Sequence, residues 1–256
     1  NGDQAILNPV EIVENLDELP FPAWDLMDPN TYPDTPHGGF AKSFPSAPMT
    51  ITRGCPLHCT FCATRSITPT DRVRSVENVI SEMKFLKERY NVNDFLIEDE
   101  NITLHKKLLQ NFCNTLIKEN MNISWSCPAG VRIDMLTREK LELMETSGCH
   151  SLNLGIEFGS QRIHDLARKS LTLEKIREKM ELFKDSNIKT TGFFLFGIPG
   201  ETREEMESTI KFAKELPINR AQFNLLMPLP GTAIYEDLKK DGKVEELNYD
   251  NFFVHD

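Results

Sequence analysis

Past residue 48 this chain alternates strand-like and helix-like runs with a regularity that leaves few folds open to it. PMTIT, DFLIEDE, ISWSCPAG, SLNLGIEFGS, KTTGFFLFGIPG and AQFNLLMPLPG are short, largely apolar runs, the pattern of strands covered on both faces. Amphipathic stretches separate them. SVENVISEMKFLKERY spaces Val76, Val79, Ile80, Met83 and Phe85–Leu86 at helical intervals, with Ser75 placed as its N-cap. LHKKLLQNFCNTLIKE is a second such stretch, with Thr103 as its expected cap, and LTREKLELMETSG a third, stopped by Gly148. SQRIHDLARKS and LTLEKIREKMELFKDSN follow, then TREEMESTIKFAKEL, which starts at Thr202 with acids in its first turn. Six β/α units of this length are what right-handed crossovers require. A parallel sheet with helices outside follows, and a doubly wound sheet explains the alternation as well as a barrel does.

With 256 residues the chain fits one large domain or a modest two. Hydrophobic residues at 39% beside 27% charged ones are a globular composition, and no apolar run approaches the roughly 20 residues that span a bilayer. A net charge of −10 argues against nucleic acid as the main partner, because phosphate binding needs an excess of Lys and Arg. Residues 1–48 differ from the rest: they carry Pro9, Pro20, Pro22, Pro29, Pro33, Pro36, Pro45 and Pro48, more than half of the fifteen prolines. Such a segment should be extended and poor in strand. Leu16, Leu19, Phe21, Trp24, Leu26 and Met27 make it apolar enough to lie against a domain. The chain does not begin with Met, and its opening reads as a linker.

The chemistry lies in CPLHCTFC, where Cys55, Cys59 and Cys62 put three thiolates on one short loop. A structural metal site usually closes with four ligands, whereas a reactive one keeps a position open. Zinc would need a fourth ligand. His58 could supply it only by turning back on the loop beside Cys59, and no second C-x-x-C follows. A disulfide framework fits poorly with six cysteines in a chain of this length and no secretory signal. Cys113, Cys127 and Cys149 are scattered, as in a reduced cytoplasm, and read as small buried hydrophobes.

At these cysteines the chain resembles the radical S-adenosylmethionine (SAM) enzymes. The resemblance implies that Cys55, Cys59 and Cys62 hold a [4Fe–4S] cluster whose fourth iron binds SAM. It also implies that reductive cleavage of SAM gives a 5′-deoxyadenosyl radical, which abstracts hydrogen from a substrate. It implies an α/β fold in the form of a partial (β/α)6 TIM-like barrel, with the cluster loop after its first strand. The expected organisation is a Pro-rich linker over 1–48, a core over 49–230 and an extension over 231–256 that folds over the barrel. Barrel sites sit where strands end, which selects the remaining candidates. Phe61 occupies the family's aromatic position before the third cysteine. Glu98 to Asn101 end the second strand where the family binds the methionyl amino group, with Asp99 and Glu100 favoured. Glu157, in a G-I-E-x-G-S-like segment, is an acid in an apolar run, costly without a partner; the family uses it for SAM. Arg168 matches a basic residue that pairs with the SAM carboxylate or ribose, with Lys169 beside it. Gly197 marks the glycine-rich, adenine-facing exit of the fifth strand. Met227, after the sixth, offers an apolar edge to adenine. Arg132 and Asp134, in GVRIDML, match another recurrent segment and stay unassigned.

The segments LDELPFPAWDLMD, FLIEDENIT, GIEFGSQRI and FFLFGIPGET are similar to the cobalamin-dependent branch of the family. There a cobalamin-binding domain precedes such a linker, which implies cobalamin in a longer protein performing methylation or rearrangement. The same resemblance implies an external reductant of the flavodoxin or ferredoxin type and leaves a small-molecule or peptide substrate unnamed. Three other readings stay open. One is radical SAM chemistry without cobalamin, as in methylthiotransferases. The second is an electron-transfer or structural cluster protein with no SAM pocket, and the third a zinc-bound interaction module.

Overall fold

The computed structural model describes residues 11–35 and 40–244. Six strands form one parallel sheet: β1 (Ser46–Met49), β2 (Asp94–Ile97), β3 (Ser124–Val131), β4 (Cys149–Glu157), β5 (Lys189–Phe196) and β6 (Arg220–Leu225). They lie in chain order, so every connection is a crossover to the next neighbour, and β1 and β6 are edges with no pairing between them. This is the partial barrel expected, and it excludes a doubly wound order. In register, Ser46 faces Asp94, Asp94 faces Ser124 and Thr191 faces Arg220.

The crossovers carry α1 (Val76–Tyr90), α2 (Lys106–Lys118), α3 (Arg138–Thr146), α4 (Gln161–Leu166), α5 (Leu173–Met180) and α6 (Arg203–Glu215), and α7 (Ala233–Lys240) follows β6. Ser75 caps α1 by accepting the Asn78 N–H, and Thr202 and Glu205 form a capping box on α6. Gly148 ends the α3 segment at φ +101°, a conformation open to glycine. Thr103 does not cap α2. The residue before that helix is His105, which makes no side-chain cap, and the Thr103 hydroxyl donates to Asn101 Oδ1 at 2.5 Å. Apolar residues of the strands and of the inner helix faces form a main core, with Phe95, Phe112 and Trp125 among its fully buried members, and a smaller cluster gathers around Phe158, Ile163 and Leu195.

β1 begins at Ser46, so the sheet takes in the end of the proline-rich segment. Pro48 is tolerated there because β1 is an edge. The described part of the linker is otherwise strand-free, and Trp24 within it is buried against the barrel. Trp24 is buried and donates its indole N–H to the buried Glu82 carboxylate at 2.9 Å, which also pairs with Arg74 at 2.6 Å. Pro9 and Pro36 lie outside the described residues, as does the end of the C-terminal extension. The part of that extension that is described does return to the barrel. The Ile234 N–H donates to Thr60 O at 3.1 Å, and the Ser66 hydroxyl to Gly231 O at 2.6 Å. Among the described residues no helix is long and apolar enough to cross a membrane.

Candidate active site

The cysteine loop leaves β1 through a two-residue ladder, Thr52–Arg53 against Arg72–Val73. At its root Gly54 has φ +97°, and a Cβ there would sit 2.2 Å from the Thr70 carbonyl oxygen, so only glycine fits. Its N–H donates to Glu100 Oε2 at 3.2 Å, tying the loop to the end of β2. On the far side the Thr60 N–H donates to Ala167 O at 3.0 Å. The loop is thus held at three points by chain that is remote in sequence.

Cys55, Cys59 and Cys62 all carry free thiols and line one cavity of about 320 Å3 at the C-terminal ends of the strands. Burial pushes the Cys55 and Cys59 thiols above the ordinary value, while Lys169 pulls Cys59 back down. Among the described residues no three His, Cys, Asp or Glu side chains converge on a point where one metal ion could sit. The three thiols share the lining of one cavity, and a cluster differs from a single ion in offering each sulfur its own iron. Three free thiols with an ammonium facing them fit such a cluster, whose binding would displace their protons.

Glu157, Lys169 and Arg132 line the same cavity. Glu157 ends β4 at a register shift with φ +71°, and Arg168 and Ser170, on either side of Lys169, stand at φ +50° and +52°. Left-handed backbone at non-glycine residues costs about 1–2 kcal/mol each and persists only where the surroundings impose it. At the turn around Lys169, Arg132 braces it. Its guanidinium grips Asp134 through two bonds of 2.9 and 2.8 Å and donates to the carbonyls of Lys169 and Ser170 at 2.9 and 3.2 Å. The strained turn drives Lys169 inward, where its ammonium meets Glu157 Oε1 at 2.7 Å. Burial opposes that positive charge, but Glu157 and Cys59 together outweigh it and hold the lysine pKa above its usual value. Gly155 makes the space: a Cβ there would lie 2.9 Å from both Glu157 Oε1 and Lys169 Nζ.

Phe61 and Glu100, both selected from the sequence, line this cavity with Glu157. The Phe61 ring stands edge-on to Phe158, with the Lys169 ammonium 6.0 Å from its centroid. Four other candidates stand elsewhere. Asp99 points away from the cavity and accepts the Ile51 N–H at 2.7 Å. Its burial drives its pKa up to about 7, against the N–H donors of Thr52 and Ile51 that lower it. Just past the end of β2, Glu98 and Glu100 are the acids that line the cavity. Arg168 faces a shallow outer pocket against α7, because its left-handed backbone turns Lys169, its neighbour, inward instead. Gly197 closes the β5 exit by donating to Glu201 Oε2 at 2.6 Å. Met227 sits half-buried in the loop after β6, off the cavity wall. Lys169 and Arg132 are the residues the sequence underweighted. An Arg followed two residues later by Asp was the available signal, but only the fold shows what the arginine clamps.

Residues 49–213 match the sequence model of the Radical SAM superfamily. An uncharacterized methyltransferase of Pyrococcus horikoshii is 34% identical over 237 residues, which are 92% of this chain and 50% of that protein. Cytidylyl-2-hydroxyethylphosphonate methyltransferase of Streptomyces wedmorensis is 29% identical over 247 residues, 90% of this chain and 45% of that protein. The chain therefore spans about half the length of these curated relatives. Among solved structures, the radical S-adenosylmethionine methyltransferase TsrM from Kitasatospora setae, with cobalamin and a [4Fe–4S] cluster bound, superposes with a TM-score of 0.70. The match is at 18% identity, over 76% of this chain and 37% of that one, and shows a shared fold.

Proposed function

The chain belongs to the radical SAM superfamily, and on that footing we propose that its cavity is the SAM site of an enzyme that transfers a methyl group with the help of cobalamin. One observation carries the reading: three free thiols line one cavity together with a buried Lys–Glu–Arg cluster. Cys55, Cys59 and Cys62 would hold the cluster, which when bound supplies the electron for reductive cleavage of SAM. The chain's own residues do the rest. Glu98 and Glu100 set two carboxylates on the wall below the cysteine loop, where an ammonium is favoured. Lys169 sets a cation in the same lining, suited to a carboxylate, and Arg132 braces the turn that carries it. Phe61 offers a ring face and edge to the apolar part of the ligand. Glu157 holds the Lys169 ammonium in place, so it acts through the lysine or exchanges it for a ligand donor.

Methyl transfer is supported by the relatives named as methyltransferases, and cobalamin by a fold neighbour that binds it. A cobalamin-binding domain elsewhere in a longer protein, a flavodoxin- or ferredoxin-type reductant and a cytoplasmic, thiol-preserving setting complete the proposal. The first test is anaerobic reconstitution with iron and sulfide, then dithionite and SAM, with 5′-deoxyadenosine read by mass spectrometry. The expected result is product from this protein and none from the Cys55→Ala, Cys59→Ala, Cys62→Ala triple variant. A protein that holds only zinc, or binds no SAM, overturns the reading. Transfer of a deuterated methyl group from SAM, dependent on added hydroxocobalamin in the full-length protein, tests the cobalamin step.

A further inference from the structure

A second cavity, of about 300 Å3, lies between the linker and the first two strands. Trp24, Met27, Tyr32 and Phe44 bound it on the linker side, and Pro48 and Leu96 on the sheet side. Along β2 the side chains alternate: Phe95 and Ile97 join the core under the helices, so Leu96 and Glu98 face the barrel interior. Glu98 lines this chamber and the cluster cavity both, so the two meet at that residue. The linker wall is fixed rather than adaptable, because the Trp24 ring is anchored through its N–H to Glu82. Met27 and Tyr32, at the rim, are 58% and 48% exposed, more apolar surface than a finished wall leaves in water.

The two cavities differ in their cations. Arg65, Arg132 and Lys169 line the first together with Glu98, Glu100 and Glu157. Asp34 and Glu98 are the charged residues lining the second, and both are acids. A carboxylate or phosphate entering the chamber would meet two acids, and the described residues lining it include no Lys, Arg or His.

We propose that this chamber holds the non-reacting body of the substrate, and that the body is an aromatic or similarly apolar group, neutral or cationic. The proposal rests on the adjoining cavity being the SAM site. A molecule seated against Trp24 and Tyr32 presents its far end at Glu98, at the mouth of the cluster cavity. The volume is at the low end of the roughly 300–1,000 Å3 typical of ligand pockets, which suits one or two fused rings.

Three probes that share a ring and differ in charge test this by equilibrium dialysis: 2-naphthylmethylamine, 2-naphthalenemethanol and 2-naphthoate. The amine and the alcohol should bind at one site per chain, and the naphthoate at least about tenfold more weakly, a difference of about 1.4 kcal/mol. Tyr32→Ala should weaken the amine and the alcohol alike. Met27→Lys, at an exposed position, should weaken the amine and strengthen the naphthoate, whereas a general structural loss would weaken all three. With reconstituted cluster and SAM present, the bound amine should change the rate of 5′-deoxyadenosine formation by about twofold or more, since the sites share a wall. Equal binding of the naphthoate, insensitivity to both variants, an unchanged cleavage rate, or displacement by hydroxocobalamin each overturns the proposal. Saturable amine binding without any SAM cleavage would instead sink the reading of the cluster cavity. Cleavage without amine binding sinks the chamber alone.

Discussion

At the N-terminal ends of the strands, Asp94 opens β2, Ser124 opens β3 and His150 lies one residue into β4. Asp94 is fully buried and satisfied by three neighbours: the Lys42 N–H at 2.8 Å, the Ser124 hydroxyl at 2.7 Å and His150 Nε2 at 3.0 Å. Burial would raise its pKa, and those partners bring it below the usual carboxylate value. At the opposite ends, Glu157 is half-buried, holds Lys169 and faces a cavity. Both clusters are ionic and both tie strands together. The lower one is sealed, with protein donors meeting the acid, as a buried charge requires. The upper one stands on strained backbone with a ligand-sized space beside it. A barrel of this kind spends its lower face on stability and its upper face on chemistry.

If that contrast is right, the two clusters should respond oppositely to mutation. Asp94→Ala should cost about 3–5 kcal/mol in urea denaturation, because it strips the partner from a buried network, and should leave the SAM affinity of the folded protein unchanged. Lys169→Met should do the reverse. Stability should move little, since Glu157 can be rehydrated from the cavity, while SAM binding by calorimetry should weaken by about 2–3 kcal/mol, the range for a charged hydrogen bond. A large stability loss in the second variant with normal SAM binding would break the comparison.

Stability against pH sharpens it further. Asp99 has a folded pKa of about 7, above its ordinary 3.8, so its contribution is fully present below about pH 4 and is lost as pH rises through 7. The slope in that window is up to about 1.4 kcal/mol per pH unit. His164 is shifted the other way by burial, from 6.5 to about 4. Its contribution is present above 6.5 and lost as pH falls through 4. The two oppose each other between about pH 4 and 6.5. Asp99→Asn, which keeps an acceptor for the Ile51 N–H, should therefore leave a stability that rises with pH across that window, as read by chemical denaturation at fixed pH values. The smallest effect is expected from Gly155→Ala. Its new methyl meets the flexible ends of Glu157 and Lys169 rather than backbone, so folding should survive while SAM affinity drops by about 1 kcal/mol through displacement of the pair.

Much of the fold was legible along the chain. Hydrophobic periodicity located all six strands and the helices between them, since each element must bury one face wherever it sits. Ser75 and Thr202 cap their helices as expected because capping involves only a few consecutive residues. Thr103 failed for the same reason in reverse: Asn101 competes for its hydroxyl, and the chain enters a short 3-10 turn, Ile102–Leu104, before the helix. In the site, Phe61, Glu100 and Glu157 could be found by motif and strand-end position. Asp99 could not be told from Glu100, because one residue of register sends neighbouring side chains to opposite faces. Arg168 and Lys169 posed the same problem, decided by a left-handed turn that no local pattern announces.

The sequence by itself determined the alternating β/α order, the apolar linker and the three-thiol loop. These depend on spacing and composition within short windows, where covalent geometry leaves little choice. Only the tertiary structure decided which acids and cations enter the cavity. It brought Arg132 from the end of β3 onto the carbonyls of Lys169 and Ser170, and so turned Lys169 toward Glu157 and Cys59. It also laid Trp24 over the first strands to close a second chamber beside the first. Contacts between residues tens of positions apart arise from packing and charge balance in three dimensions, and no one-dimensional window contains them.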